Sequence, residues 1–363
     1  MTAEVRRRQF YPKTDLAFDA AALPAIRARK EREALGLEGA VGVLCGEWVG
    51  EKVVQSRLLP GAGTFHAIYE VETQGGGAWI ARVAMVPELG TAFHLAADSI
   101  LFRQLGQVGV PTSSPVFADL TRARIPHDLQ ILPRARGVKV TTLENPETQA
   151  MEPELLHAVG ATLARVHQVE GRGFGLVDWE RHLRATELAG GHRDWAGYLL
   201  QNLAAHLAVC IGTGAVPEGE AGEITRRLEG MAPIWAASPC RLLHGDPGHH
   251  NFYAANREVT ALLDWEDALC GDPVFDLAHW GTFTREGMLA EMLGGYFGVR
   301  RREGAKEEEM GGGSFWGRYW GYYLRIAVSK TAHRHWFGVP ERAGRPLASR
   351  RIQLALERLR ALD

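Results

Sequence analysis

The stretch from Arg241 to Trp280, RLLHGDPGHHNFYAANREVTALLDWEDALCGDPVFDLAHW, constrains this chain more than any other. The sequence on both sides reads as helices. Here two short apolar runs, 241–243 and 259–263, surround a loop too rich in glycine and proline to be helical. The loop carries His244, Asp246 and Asn251, and the second run ends at Asp264. A short β-hairpin would hold Asn251 and Asp264 side by side, with Asp246 at the mouth of the turn. For HGD alone, a polar turn with incidental acids explains the residues equally well. The combined pattern, HGD-x4-N followed by LLDWE-x4-GDP, disfavours that reading.

Asp-x4-Asn followed by a strand that ends in Asp is the spacing of a kinase catalytic loop and its metal-binding acid. Magnesium prefers hard oxygen ligands and commonly takes one or two protein groups plus substrate phosphates. Asp264 and the Asn251 side-chain oxygen suit it. Asp246 is left to orient a hydroxyl and accept its proton, and phosphoryl transfer asks little more of a protein than positioning and charge neutralisation.

Composition narrows the alternatives. Lys and Arg number 41 against 43 Asp and Glu, a balance that argues against a nucleic-acid-binding surface. Cys45, Cys210, Cys240 and Cys270 are scattered without CxxC spacing, so neither a disulfide framework nor a zinc site is expected, and a reducing cytoplasm is the expected location. No run of 18 apolar residues occurs, and no apolar stretch follows the basic residues of MTAEVRRRQFYPKTD, so neither a membrane span nor a signal peptide is expected.

With 363 residues the chain is long enough for two lobes. Residues 1–40 read as a polar extension with one helix, Ala20–Leu35, ending near Gly36. Strands are expected at 53–59, 67–73 and 78–85, a helix at 91–107, and strands at 115–120 and 128–133, from β-branched and aromatic runs between glycine-containing turns. This gives a β-rich N-lobe over 41–134. After Gly137 the pattern is helical: 153–169, 195–211, 223–235, 315–337 and 349–361. Residues 135–363 thus form a mostly helical C-lobe, and 304–313, GAKEEEMGGG, reads as a charged mobile loop. The fold class is α+β and bilobal.

HGDPGHHN, LLDWEDALCGDPVFDLAHW and SRLLPGAGTFHAIYEV together resemble the aminoglycoside phosphotransferase superfamily of protein-kinase-like small-molecule kinases. ELLHAVGATLARVHQVEGRGFG and YYLRIAVSKTAHRH are similar to the family as well. The resemblance spans about residues 50–335 and leans toward the hygromycin-type antibiotic phosphotransferases. It implies Asp246 as catalytic base, Asn251 and Asp264 as magnesium ligands, His244 as a brace of the catalytic loop, and Asp272 and Asp276 as supports behind it. Ordinary helix-start capping is the competing role for those last two. It also implies ATP or GTP as donor and a small-molecule hydroxyl as acceptor.

In the N-lobe, Gly61, Gly63 and Thr64 of PGAGTFH are expected against the phosphates, although His66 replaces the third glycine of GxGxxG. Arg82 on the third strand supplies the cation; its partner acid stays open, with Asp98 on the next helix one carbon shorter than the usual Glu and Glu88 in the loop before it. The linker QILPRARGV offers Leu132 and, because Pro133 lacks an N–H, Arg134 or Ala135 as hydrogen-bond donor to the base. Glu266, Asp267, His249 and His250 are the candidate acceptor-binding residues. The sequence leaves open an aminoglycoside-like acceptor, a metabolite acceptor, a pseudokinase, and a monomer or homodimer.

Overall fold

The computed structural model describes residues 7–12, 15, 22–61, 63, 66–86, 94–115, 117–145, 150–284, 286–302, 304, 313–339 and 348–363. The first element is a long helix, α1 (Leu23–Val49), with a proline in its first turn and Gly50 in the left-handed conformation at its C-terminus. It does not stop near Gly36, as expected, but continues through Gly39, Gly42 and Gly46. A glycine inside a helix costs about 1 kcal/mol relative to alanine. Here it permits close approach: a Cβ on Gly42 would lie 3.0 Å from Cβ of Ser56.

That contact lays α1 on a five-stranded antiparallel sheet of β1 (Val53–Leu58), β2 (His66–Thr73), β3 (Ala78–Ala84), β4 (Phe117–Asp119) and β5 (Leu129–Pro133). Its spatial order is β1-β2-β3-β5-β4. Helix α2 (His94–Gln107) follows β3. Val41, Leu44, Tyr69, Val71, Ala81, Val83, Leu129 and Ile131 form the core between α1 and the sheet.

The chain then passes into a helical lobe through a two-residue strand, β6 (Val138–Lys139). Helix α3 (Pro153–Val166) buries Leu155, Leu156, Val159, Leu163 and Val166, the stripe read from the sequence. The helix expected over 195–211 is broken into Trp195–Leu199 and Leu203–Gly212, with Asn202 between them at φ 57°. The one expected over 223–235 likewise splits into Glu218–Gly230 and Ala232–Ala236. Two long helices close the lobe, Gly313–Phe337 and Ala348–Arg360. The expected mobile loop at 304–313 lies, apart from its two end residues, outside the described residues.

Two small sheets carry the site. Strand Arg241–Leu243 pairs with Leu269–Gly271, and the hairpin Phe252–Ala255 with Glu258–Leu262. The first hairpin strand also pairs antiparallel with β6, through Tyr253 with Lys139 and Ala254 with Val138. The lobe linker and the central hairpin thus belong to one sheet.

The amino-terminal residues are not a detached polar extension. Phe10 is fully buried and Tyr11 is 2 % exposed, both inside the core of the helical lobe. The guanidinium of Arg325, itself buried, lies 3.6 Å from the centre of the Phe10 ring.

Candidate active site

The loop 244–251 is held from behind by one carboxylate. Asp276 accepts the backbone N–H of His244 at 2.7 Å and that of Gly245 at 3.0 Å. Its Oδ2 also lies 3.2 Å from Nε2 of His167, whose other ring nitrogen pairs with the Tyr296 hydroxyl at 2.9 Å. Burial alone would raise the Asp276 carboxyl, but His167 and then His244, through its charge and its backbone N–H, outweigh it and hold it below the usual range. Asp272 works one step removed. It caps the helix Pro273–Gly281 at the N–H of Val274 and receives Arg318, Tyr322 and Ser238 at 2.7, 2.8 and 3.0 Å. The His244 imidazole pairs with the Leu263 carbonyl at 2.9 Å, tying the loop to the far strand of the hairpin.

Gly245 has φ 81°, a region that favours glycine. A Cβ there would collide with the carbonyl oxygen of Asp267. The chain turns sharply as a result and leaves Asp246 8 % exposed, close to the cleft that Asn251 and Asp264 line but not among its lining residues.

Three nitrogen groups surround the Asp246 carboxylate. Lys330 Nζ lies 3.4 Å from Oδ1, His279 Nε2 3.5 Å from Oδ1, and His250 Nε2 3.4 Å from Oδ2. Burial would raise this carboxyl, yet Lys330, His250 and His279 more than offset it and hold it well below the ordinary carboxylate range. The His279 imidazole is itself pushed down to about 3 by burial and the nearby Lys330.

Asn251 donates its side-chain N–H to the Asp246 carbonyl at 2.8 Å, which leaves its oxygen for the cleft. The N–H of Leu263 donates to the Asn251 carbonyl at 2.9 Å, placing Asp264 next to it. Asp264 takes a left-handed backbone, φ 67°, and lines the same cleft as Asn251. Among the described residues no group of three or more His, Cys, Asp or Glu could hold a metal. One carboxylate, one amide oxygen and a nucleotide's own phosphates are the donor set that suits magnesium.

The cleft itself has a volume of about 230 Å3. Gly63, His66, Ile68, Ile80, Arg82 and Leu132 line it from the sheet side, and His250, Asn251, Tyr253, Asp264 and Glu266 from the helical side. Arg82 Nη1 lies 2.7 Å from Asp98 Oδ2 and 3.2 Å from Gln130 Oε1. Gly63 is fixed by Lys30 of α1, which donates to its carbonyl.

Several expected residues stand elsewhere. Arg134 cannot offer its N–H to a base, because that group donates to the Ala78 carbonyl at 2.9 Å and the side chain pairs with Glu70. Ala135 lines the cleft and Arg134 does not. Gly61 lines a separate groove between α1 and the loop, and Thr64 lies outside the described residues. His249 is turned away from the cleft, 2 % exposed, bonded to Glu144 at 2.8 Å and packed on Trp280. Asp267 is 2 % exposed behind the catalytic turn. Glu266 does line the cleft, 3.8 Å from His66. Of the four candidate acceptor residues only His250 stands beside Asp246 with an exposed side chain.

Three groups at Asp246 were missed from sequence. Lys330 lies 84 residues downstream, His279 sits one helical turn after Asp276, and Tyr11 bonds both His279, at 2.8 Å, and the Gly245 carbonyl. Only His279 had a local signal, its i+3 spacing from a bracing acid.

Residues 59–307 match the sequence profile of the phosphotransferase enzyme family. No protein in the curated set matches significantly. Among solved structures, the fold is similar to a thermostable mutant of aminoglycoside phosphotransferase APH(4)-Ia in ternary complex with AMP-PNP and hygromycin B. The TM-score is 0.58 at 20% identity, covering 89% of this chain and 97% of that one. A putative fructosamine-3-kinase from Thermobifida fusca is similar at TM-score 0.57 and 17% identity, covering 89% and 98%. A putative aminoglycoside phosphotransferase from Ralstonia eutropha JMP134 gives 0.51 at 14%, covering 86% and 90%. The shared architecture is the bilobal, protein-kinase-like fold. No helix among the described residues is long and apolar enough to cross a membrane.

Proposed function

The chain belongs to the phosphotransferase enzyme family, and we propose that it moves the γ-phosphoryl group of ATP or GTP to a hydroxyl of a small molecule. The observation that carries this reading is that Asn251 and Asp264 line a cleft whose opposite wall holds Arg82 and Gly63, while the Asn251 amide bonds the backbone carbonyl of Asp246 and so ties the catalytic candidate to that cleft. The base lies against Leu132 and accepts or donates at the backbone near Ala135. Arg82, oriented by Asp98, clamps the inner phosphates. Asn251 and Asp264 would hold magnesium, which when bound would neutralise charge on the phosphate oxygens.

Asp246 accepts a hydrogen bond from the acceptor hydroxyl and aims its oxygen at the phosphorus. A carboxylate held far down is a weak base, so the proton leaves the hydroxyl late, once its bond to phosphorus is well advanced. That timing suits a loose phosphoryl-transfer transition state.

The first acceptor to test is an aminoglycoside-like antibiotic, since a similar fold binds hygromycin B. A second reading, a sugar or amino-alcohol metabolite, is favoured by one observation: Lys330 puts its ammonium beside Asp246, where a polycation would meet repulsion. The test is a screen of hydroxyl acceptors with ATP and with GTP in magnesium, read as the mass of one added phosphoryl group. Turnover by Asp246→Ala equal to wild type would remove the mechanism.

A further inference from the structure

The profile match runs from 59 to 307, yet two groups that surround Asp246 come from outside it, one on each side. Tyr11 arrives from the amino-terminal strap and Lys330 from the helix Gly313–Phe337. We propose that the strap is part of the catalytic apparatus, with Tyr11 as a positioning residue that fixes the Gly245 carbonyl and seats Lys330 against Asp246. The proposal rests on Asp246 being the group that orients the nucleophile.

The geometry separates two jobs for one side chain. The Tyr11 hydroxyl donates to the Gly245 carbonyl, which belongs to the residue before Asp246. The same hydroxyl meets Nδ1 of His279 at 2.8 Å, while Nε2 of that ring faces Asp246. Burial and then the Asp246 charge push the phenol well above its ordinary value, so it remains a donor throughout. The ring does the second job. Lys330 Nζ lies 4.4 Å from its centre and 3.4 Å from Asp246 Oδ1, so the ammonium is held between a π face and a carboxylate. Phe283 lies beyond it, with Nζ 5.9 Å from that ring.

The strap is anchored well enough to hold this geometry. Phe10 is fully buried, its carbonyl accepts the Tyr198 hydroxyl, and its ring lies under Arg325. Asn202 donates to the Arg8 carbonyl at 2.9 Å, and His192 meets that of Arg7 at the same distance. Asp15 caps the turn at the N–H of Phe10, 2.7 Å, and pairs with His206 at 2.6 Å.

The experiment uses the full chain and magnesium–ATP with water as acceptor, read by ADP release at neutral pH. Tyr11→Phe keeps the ring and loses the hydroxyl. It is expected to lower kcat by about tenfold or more, with the KM for ATP within about twofold. Tyr11→Leu loses both and is expected to lower kcat further, again with the KM for ATP little changed. Because the ring acts through Lys330, Tyr11→Phe and Tyr11→Leu should reach the same kcat once Lys330→Met is present in both. A strap that only supports the fold would lower Tm and leave the kcat of the folded protein in place.

Equal kcat for Tyr11→Leu and Tyr11→Phe with Lys330 in place, or an undiminished difference between them with Lys330→Met, would overturn the proposal. If Tyr11→Leu does not fold, Tyr11→Phe decides: wild-type kcat there overturns it. Asp246→Asn with wild-type ADP release would instead sink the underlying reading and is scored separately.

Discussion

Arg82 and Asp98 meet at 2.7 Å, with the Asp98 side chain fully buried and the Arg82 guanidinium at the wall of the cleft. Removing one partner of such a pair costs about 3–5 kcal/mol, because a charge is left without compensation. Asp98→Ala is therefore expected to lower Tm and to raise the KM for nucleotide more than it lowers kcat. Thermal unfolding and initial rates at varied ATP check both. An unchanged KM would mean that Arg82 does not hold phosphate.

The Asp246 carboxyl is held well below its ordinary value by Lys330 and His250 against the opposing effect of burial. Activity needs the ionised form, so it is lost as pH falls through the folded-state value. That value is depressed, so no acid limb from Asp246 is expected in the ordinary carboxylate range near pH 4. Lys330→Met should move the limb upward. Asp246→Asn should cut kcat on the order of a thousandfold at every pH, a profile that stopped-time ADP assays resolve.

Asn251 and Asp264 are the two oxygen donors at the mouth of the cleft. Asp264→Asn and Asn251→Ala should each raise the magnesium concentration needed for half-maximal activity by about tenfold or more. Asn251→Ala also removes the 2.8 Å bond to the Asp246 carbonyl and should depress kcat even at saturating magnesium. Titration of activity with magnesium at fixed ATP distinguishes the two. A variant with the wild-type metal requirement would take that residue out of the metal site.

Asp276 accepts two amides of the catalytic turn and faces His167. Its folded-state value is lowered, so its contribution to stability is present above the unfolded value near 4 and lost as pH falls toward the folded one. Asp276→Asn keeps the size but offers one acceptor where two are used, and should cost about 1–3 kcal/mol. Denaturant unfolding at neutral and acid pH should show the gap between variant and wild type narrowing on the acid side.

Where the sequence is periodic or punctuated, its reading matches the elements closely. The strands at 53–59, 67–73 and 78–85 fall within two residues of β1, β2 and β3, because β-branched residues between glycine turns leave few alternatives. Helix α1 was shortened because a glycine is an ambiguous stop, and only its packing on Ser56 shows why the helix continues. The loop 244–251 and Asp264 are contiguous in sequence, and local spacing is enough to bring them together. Arg134 was misread because its amide is spent on a cross-strand bond that no linear pattern reveals. Lys330 reaches Asp246, and Tyr11 reaches Gly245, only through tertiary packing, across sequence separations of 84 and 234, and residue spacing carries no trace of either.

The linker strand Val138–Lys139 is hydrogen-bonded to Tyr253 and Ala254, two and three residues beyond Asn251. A rotation of one lobe against the other is therefore geared to the metal-side hairpin rather than absorbed by a slack tether. The arrival of a nucleotide against the sheet wall would be transmitted along three adjoining strands to the seat where the reacting oxygen is aimed. Closing the jaws and setting the aim are, in this architecture, a single movement.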